Sequence, residues 1–361
     1  MTTQLTENGW SGPFGSGTWT NRADIVDSGD EIIIASGVTV NSLGGEDIIT
    51  GTGFLGIFNI GTLNTDNGKD RITGIATGDG AVGLFNQGGT LNTGNGKDTI
   101  TGIATGPGSV GIFNNGGIIN TDNGEDLITG DGGVFGVFNQ SGTIDTENGD
   151  DTITGTGLAG GISNQQKGVI NTRSGNDLIT ATATTGGEFG FGNAIVNQSG
   201  STIDTGDGND IISGISTIVS SIASVGILNG TGNDVDTITT GNGDDIIIGS
   251  GMTSGIRNYS IIDTGNGNDI VDALTGGFDG GGTIYLGKGN DLIQGFGSQN
   301  VDGGKGFDTA ELGIDYNQSL LSVGSSFDIQ IGNMNFTNVE QFVFSNGDTL
   351  SLQDLQAQVQ I

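Results

Sequence analysis

Residues 93–120 read TGNGKDTITGIATGPGSVGIFNNGGIIN, and this stretch holds one complete architectural unit. A glycine-rich turn ends at Asp98. The alternating run Thr99-Ile100-Thr101 follows it, then Gly111-Ile112-Phe113-Asn114, then a short run around Ile119 that leads into the next turn. Period-2 alternation bounded by glycine marks strands, and β-branched residues suit a pleated surface buried on one side.

Working outward, the Gly-x-Asp turn recurs at Asp47, Asp70, Asp98, Asp126, Asp151, Asp177, Asp210, Asp245, Asp269, Asp291 and Asp308, with spacings of 17 to 35 residues. A repeat of that length is the signature of a solenoid, in which no single unit can bury its own core. Two residues after each Asp stands an aliphatic such as Ile72, Ile100 or Ile128, and seven before it another, such as Leu63, Leu91 or Ile119. The interval from Asp to the next strand Asn varies more than the interval from Asn to the next Asp, which puts the insertions at one corner. The expectation is an all-β fold, a right-handed parallel β-solenoid (β-helix or β-roll-like) of about ten coils. At ~4.8 Å per coil the rod is roughly 50 Å long. Residues 1–30, with Trp10 and Trp19, are expected to cap one end, and residues 31–308 to form the coils. Residues 309–361, with the hairpin turn Asn346-Gly347-Asp348, make a small β cap at the other end.

Composition narrows the function. The chain has 361 residues, with 74 Gly and only 2 Pro, and the glycines keep fixed offsets from Asp without Gly-X-Y triplets. Acidic residues number 41 against 9 basic ones, a net charge of −32. Nucleic-acid binding needs clustered Lys and Arg and is excluded as an expectation. Anionic membranes repel such a chain, and no apolar run approaches the length of a membrane span. There is no Cys and no His, which removes disulfides, the usual zinc sites, thiol nucleophiles and imidazole acid–base chemistry. The N-terminal segment lacks an apolar core of the kind a Sec signal peptide carries.

Stacking the coils sets the turn Asp residues in a file, ~4.8 Å apart. Two carboxylates at that distance repel by roughly 0.9 kcal/mol in water and about 3.5 kcal/mol at an effective dielectric of 20. A hard divalent cation such as Ca²⁺, bound by carboxylate oxygens and turn carbonyls, turns that repulsion into coordination. The stretches GDGNDIISG (Gly206–Gly214), GNGDDIIIG (Gly241–Gly249), GNGNDIVDA (Gly265–Ala273) and GKGNDLIQG (Gly287–Gly295) resemble the nonapeptide of the RTX, or hemolysin-type calcium-binding repeat, family. The tail NFTNVEQFVFSNGDTLSL resembles the region after the repeats in type I secretion substrates of that family. The resemblance covers about residues 40–310. It implies that each turn Asp ligates Ca²⁺ and that neighbouring residues, among them Gly208, Gly243, Gly267 and Gly289, add carbonyls. It also implies secretion to the medium or cell surface, folding on Ca²⁺ after export, and a structural or adhesive rather than enzymatic role.

Two departures from the family stand out. Here one motif occurs per coil instead of a tandem run, and Thr replaces the first glycine (Thr65, Thr93, Thr121, Thr146, Thr172, Thr205, Thr240, Thr264). The second glycine becomes Asp66, Asp122, Glu147 or Arg173 in some turns, which weakens the expectation of calcium there. One Asp-Gly turn is ordinary turn chemistry and needs no ligand. Eleven in one column of a strongly acidic chain favour a cation.

Other columns carry less. Asn59, Asn86, Asn114 and Asn139 suggest an internal amide ladder, and the Thr column from Thr50 to Thr180 an outward, solvated face. Phe58, Phe85, Phe113 and Phe138 alternate with Ile57, Leu84, Ile112 and Val137. Since later coils put Ser163 and Arg257 in the Phe column, that column should face outward as an apolar stripe, a surface for self-association unless the corner loops cover it. Glycans are a further candidate partner. Arg257 and Tyr259 near Asp263 form the one enzymatic candidate, a β-helical enzyme acting on acidic polysaccharide; the scarcity of basic residues argues against it.

Overall fold

The computed structural model describes residues 2–12, 15–184, 191–217, 223–324 and 326–359. Each coil contributes three strands to three long sheets. The first face carries runs such as Thr99–Thr105, the second Val110–Asn115, and the third the short Ile118–Asn120. The sheets hold 14, 13 and 14 strands respectively, and pairing between coils is parallel throughout the stack. Among the described residues, ten coils with all three strands run from Ile25–Asp27 to Thr283–Tyr285. The fold is a parallel β-solenoid.

Register follows the sequence columns without slip: Ile72 pairs with Ile100, Leu84 with Ile112, and Leu91 with Ile119. A one-residue slip would turn every core side chain to solvent, so burial itself fixes the register. Three aliphatic files result, one per face, and Ile100, Ile112 and Ile119 are each fully buried. Each such side chain stabilises the stack by roughly 1.5–3 kcal/mol. The variable corner lies between the first and second faces, from the lone Phe54 of one coil to Gly106–Ser109 of another.

The stack is longer than the repeat suggested. Ile25–Asp27 already pairs in parallel with Ile48–Gly53, and beyond residue 308 Thr309–Leu312, Asn333–Thr337 and Gln341–Phe344 continue the first and third faces. Outside them lie the caps. At one end Thr2–Thr6 and Gly9–Gly12 pair antiparallel, with Trp10 packed on Trp19 at 5.1 Å. At the other, Gln341–Phe344 and Thr349–Ser351 form the hairpin around Gly347, whose φ is +91°. A helix, Leu352–Val359, ends the described chain, where only β structure was expected. Ser351 and Asp354 cap each other's backbone N–H groups across its first turn, and Leu355 is buried beneath it.

Two outward or inward assignments can now be stated. The Asn column is buried: from Asn59 to Asn229, each Nδ2 donates to the Oδ1 of the next Asn at 2.8–2.9 Å. The Phe column does point away from the aliphatic core, but it is half-buried rather than an exposed stripe. Phe85 stacks on Phe113 and Phe113 on Phe138, with ring centroids 5.0 and 4.9 Å apart, and Val82, Val110 and Val134 pack against them. In-register stacking lets each ring cover its neighbour, which no single-coil reading of the sequence shows.

Candidate metal centre: the turn file

The turn is the six-residue corner between the third and first faces, as in Thr93–Asp98. Its fourth position is always glycine, and the stack dictates why. A Cβ at Gly96 would lie 1.5 Å from the carbonyl oxygen of Gly68, and at Gly243 it would lie 1.7 Å from that of Gly208. Successive turns therefore touch backbone to backbone, and φ at this glycine, +158° for Gly96 and +139° for Gly243, is closed to other residues. The second position adopts the left-handed conformation in every coil, whether Gly241 (φ +91°) or Asp122 (φ +57°) fills it.

All eleven Asp side chains are buried, at 0–2% exposure. Each backbone N–H donates to the Asp Oδ1 of the next coil: Asp98 to Asp126 at 2.7 Å, Asp245 to Asp269 at 2.9 Å, and so along the file. The eleven positions are thus brought together as one continuous column. Gly208, Gly243, Gly267 and Gly289 lie directly beside it, two residues before their Asp. The file is also longer than the motif. Asp24 donates its N–H to Asp47 Oδ1 at 2.7 Å, and Glu340 closes the far end by accepting from Asp308 N–H at 2.7 Å. Neither Arg22-Ala23-Asp24 nor Asn338-Val339-Glu340 contains the glycine of the motif. The signal that finds them is the aliphatic or aromatic two residues later, Val26 and Phe342, in the same inward column.

One oxygen of each carboxyl is satisfied by that ladder; the other is not. Oδ2 of Asp70, Asp98, Asp126, Asp151, Asp177, Asp210, Asp245, Asp269, Asp291 and Asp308 is buried with no hydrogen-bond partner. In Asp47 the Ser42 hydroxyl fills this role. In the turns from Asp70 to Asp269 a Thr hydroxyl lies beside the carboxyl and draws its pKa down, yet Oγ1 of Thr93, Thr121 and Thr146 lacks a well-aligned partner; Leu286 and Gly303 take the Thr position in the turns of Asp291 and Asp308. Burial dominates the titration. It pushes Asp70, Asp126, Asp177, Asp245 and Asp291 up to about 7, and Asp98, Asp151, Asp269 and Asp308 up to about 6. Asp47 and Asp210 are raised for the same reason. The amide hydrogen bond from the preceding coil opposes the shift.

A buried carboxylate with one unmet oxygen can be completed by a proton or by a cation. Orphaned acceptors repeated in every turn fit a hard metal ion. Among the described residues, however, no three acidic side chains converge, so a bound ion would draw on one or two carboxylates plus turn carbonyls and hydroxyls. The file is the same in turns with Asp66, Asp122, Glu147 or Arg173 as in the all-glycine turns. Position two therefore leaves the carboxyl geometry unchanged.

Of the enzymatic candidate, Arg257 Nε pairs with Asp279 Oδ2 at 2.7 Å and Nη2 donates to Ser254 Oγ at 3.3 Å, and among the described residues no side-chain hydrogen bond joins Arg257 to Tyr259 or Asp263. Comparison of the chain with protein-family models, curated proteins and solved structures returns no match.

Proposed function

We propose that this chain is a calcium-binding extracellular repeat protein similar to the RTX family, with a structural or adhesive role. In this reading Ca²⁺ orders the chain after export. The observation that carries it is the column of buried Asp Oδ2 atoms without partners, one per turn over ten consecutive coils. Asp47 through Asp308 would hold the ions, with Thr hydroxyls and the carbonyls of the turn glycines completing each shell. A bound cation would supply the positive charge that ten closely spaced carboxylates lack. The protein's own part is to present the oxygens on rigid, register-locked turns and to exclude water from them. Where Ca²⁺ is scarce, the ionised file opposes folding; where it is abundant, mass action favours the stack. The charge of −32, with 9 basic residues against 41 acidic ones, supports a cation partner over an acidic polymer.

The test is a Ca²⁺ titration at pH 8 of chelated protein, followed by circular dichroism and calorimetry. A cooperative gain of β signal with several ions bound supports the proposal. Full β signal and an unchanged thermal midpoint in the chelator would overturn it, and would leave the file as a neutral, protonated ladder.

A further inference from the structure

The third face presents two outward columns along the rod, and one of them changes character near the C-terminal cap. Through most coils this column holds Asn, Asp or Thr, as at Asn92, Asn120, Asp145, Asn171 and Thr239. At Tyr285 an aromatic interrupts it, 40% exposed, with Asp263 in register on one side and Asp302 on the other. The cap adds a wall: Ser326 and Phe327 rise beside Tyr285, Asn300, Asp302, Asn335 and Thr337 to enclose a groove of about 450 Å³.

The polar groups of the floor are held in place before any ligand arrives. Asn335 Nδ2 donates to Asn300 Oδ1 at 2.8 Å, and Asn300 Nδ2 donates to the carbonyls of Gly281 and Gly282 at 3.1 and 3.0 Å. Asp302 Oδ1 accepts from Asn338 Nδ2 at 2.8 Å and from Gly304 N–H at 3.1 Å, which leaves Oδ2 as its available acceptor. Each strand here is paired on both sides, Thr283–Tyr285 with Ile261–Asp263 and Ser298–Asp302, and Ser298–Asp302 with Asn333–Thr337. Among the described residues, the strands on the groove floor present no free edge to a peptide strand.

We propose that this groove binds a neutral oligosaccharide. The Tyr285 ring offers an apolar face to sugar C–H groups, as amphipathic aromatics do at wet interfaces. Asp302 Oδ2 and the Thr337 hydroxyl offer an acceptor and a donor of the kinds that ring hydroxyls need, with Asn300 and Asn335 holding the floor rigid. The volume lies in the range of small-ligand sites. Asp263 and Asp302, in a chain of charge −32, exclude anionic sugars. This inference does not rest on the turn file binding calcium.

The experiment titrates the full chain, kept folded as judged by circular dichroism, with cellohexaose and chitohexaose by calorimetry, and with an oligogalacturonate of equal length as the anionic control. Binding of one neutral hexamer with Kd near or below about 1 mM is expected. Tyr285→Ala should weaken it about tenfold or more at an unchanged melting temperature, while Tyr285→Phe keeps it. The proposal is overturned if neither neutral hexamer binds, if the oligogalacturonate binds as tightly, or if Tyr285→Ala leaves the affinity unchanged.

Discussion

The N-terminal and C-terminal halves of the solenoid build the same turn from different residues. At position two, the coils of Asp70, Asp126, Asp151 and Asp177 use Asp66, Asp122, Glu147 and Arg173 at φ of +57 to +65°; the coils of Asp210, Asp245, Asp269 and Asp291 use glycine at +88 to +93°. The left-handed backbone is thus imposed by stacking, and five coils, counting that of Leu43 at φ +75°, adopt it against the preference of an L-residue, at about 1–2 kcal/mol each. Partial compensation is visible in one of them, where Arg173 Nη2 lies 2.5 Å from Asp145 Oδ2 and 3.1 Å from Glu147 Oε1. The halves differ again on the second face, where a Phe ladder gives way to Ser163, Val196, Leu228 and Arg257. Where two halves share a geometry, the backbone contacts are indispensable; where they diverge, the sequence has latitude.

The largest effect should come from what the halves share. Gly96→Ala and Gly243→Ala each thrust a methyl into a carbonyl of the coil beside them. Both should lose more than about 4 kcal/mol, since the clash is with backbone rather than a movable side chain. Equal loss in urea melts is expected; a mild loss in one half alone would show that its turns are not rigidly stacked.

Next in size is the pH response of metal-free protein. Burial pushes nine Asp of the folded file up to about 6 or 7 and raises Asp47 and Asp210 as well, above the ordinary 3.8 of the unfolded chain, so between those values the folded state holds more protons. Stability of the metal-free stack must therefore fall as pH rises from about 4 through 7. One pKa unit is about 1.4 kcal/mol, so a fraction of a unit at each of eleven positions rivals the whole margin of a typical domain. Thermal melts in chelator from pH 4 to pH 8 check the sign, and excess Ca²⁺ should flatten or reverse the trend.

A smaller, one-sided effect is expected from Phe85→Ser with Phe113→Ser. Because the rings are half-buried and stacked on each other and on Val82 and Val110, the pair should cost about 2–5 kcal/mol. Little change in melting but lost self-association, seen by sedimentation, would instead make the ladder an interface. The smallest effect is a gain: Glu147→Gly relieves a left-handed residue and should raise stability by about 1 kcal/mol, read as a shift in the urea midpoint.

Much of this molecule was legible in one dimension because a solenoid repeats its own contacts. The aliphatic offsets around each Asp specified three inward files, and the choice between Ile112 and Phe113 for the core followed from Ser163 and Arg257 further along the same column. The turn glycine and the turn Asp were likewise visible as columns. What the sequence could not show is how one coil meets the next. That Asp98 Oδ1 accepts a hydrogen bond from the backbone N–H of Asp70 in the coil before it, that Oδ2 is left unpaired, and that Asp24 and Glu340 complete the file all depend on packing at the ~4.8 Å repeat. The same spacing turned four outward phenylalanines into a self-covering stack, and a Ser-x-x-Asp pair into the cap of a closing helix. Periodic burial is a property of one coil and can be read along the chain; hydrogen-bond satisfaction belongs to pairs of coils and exists only once they are stacked.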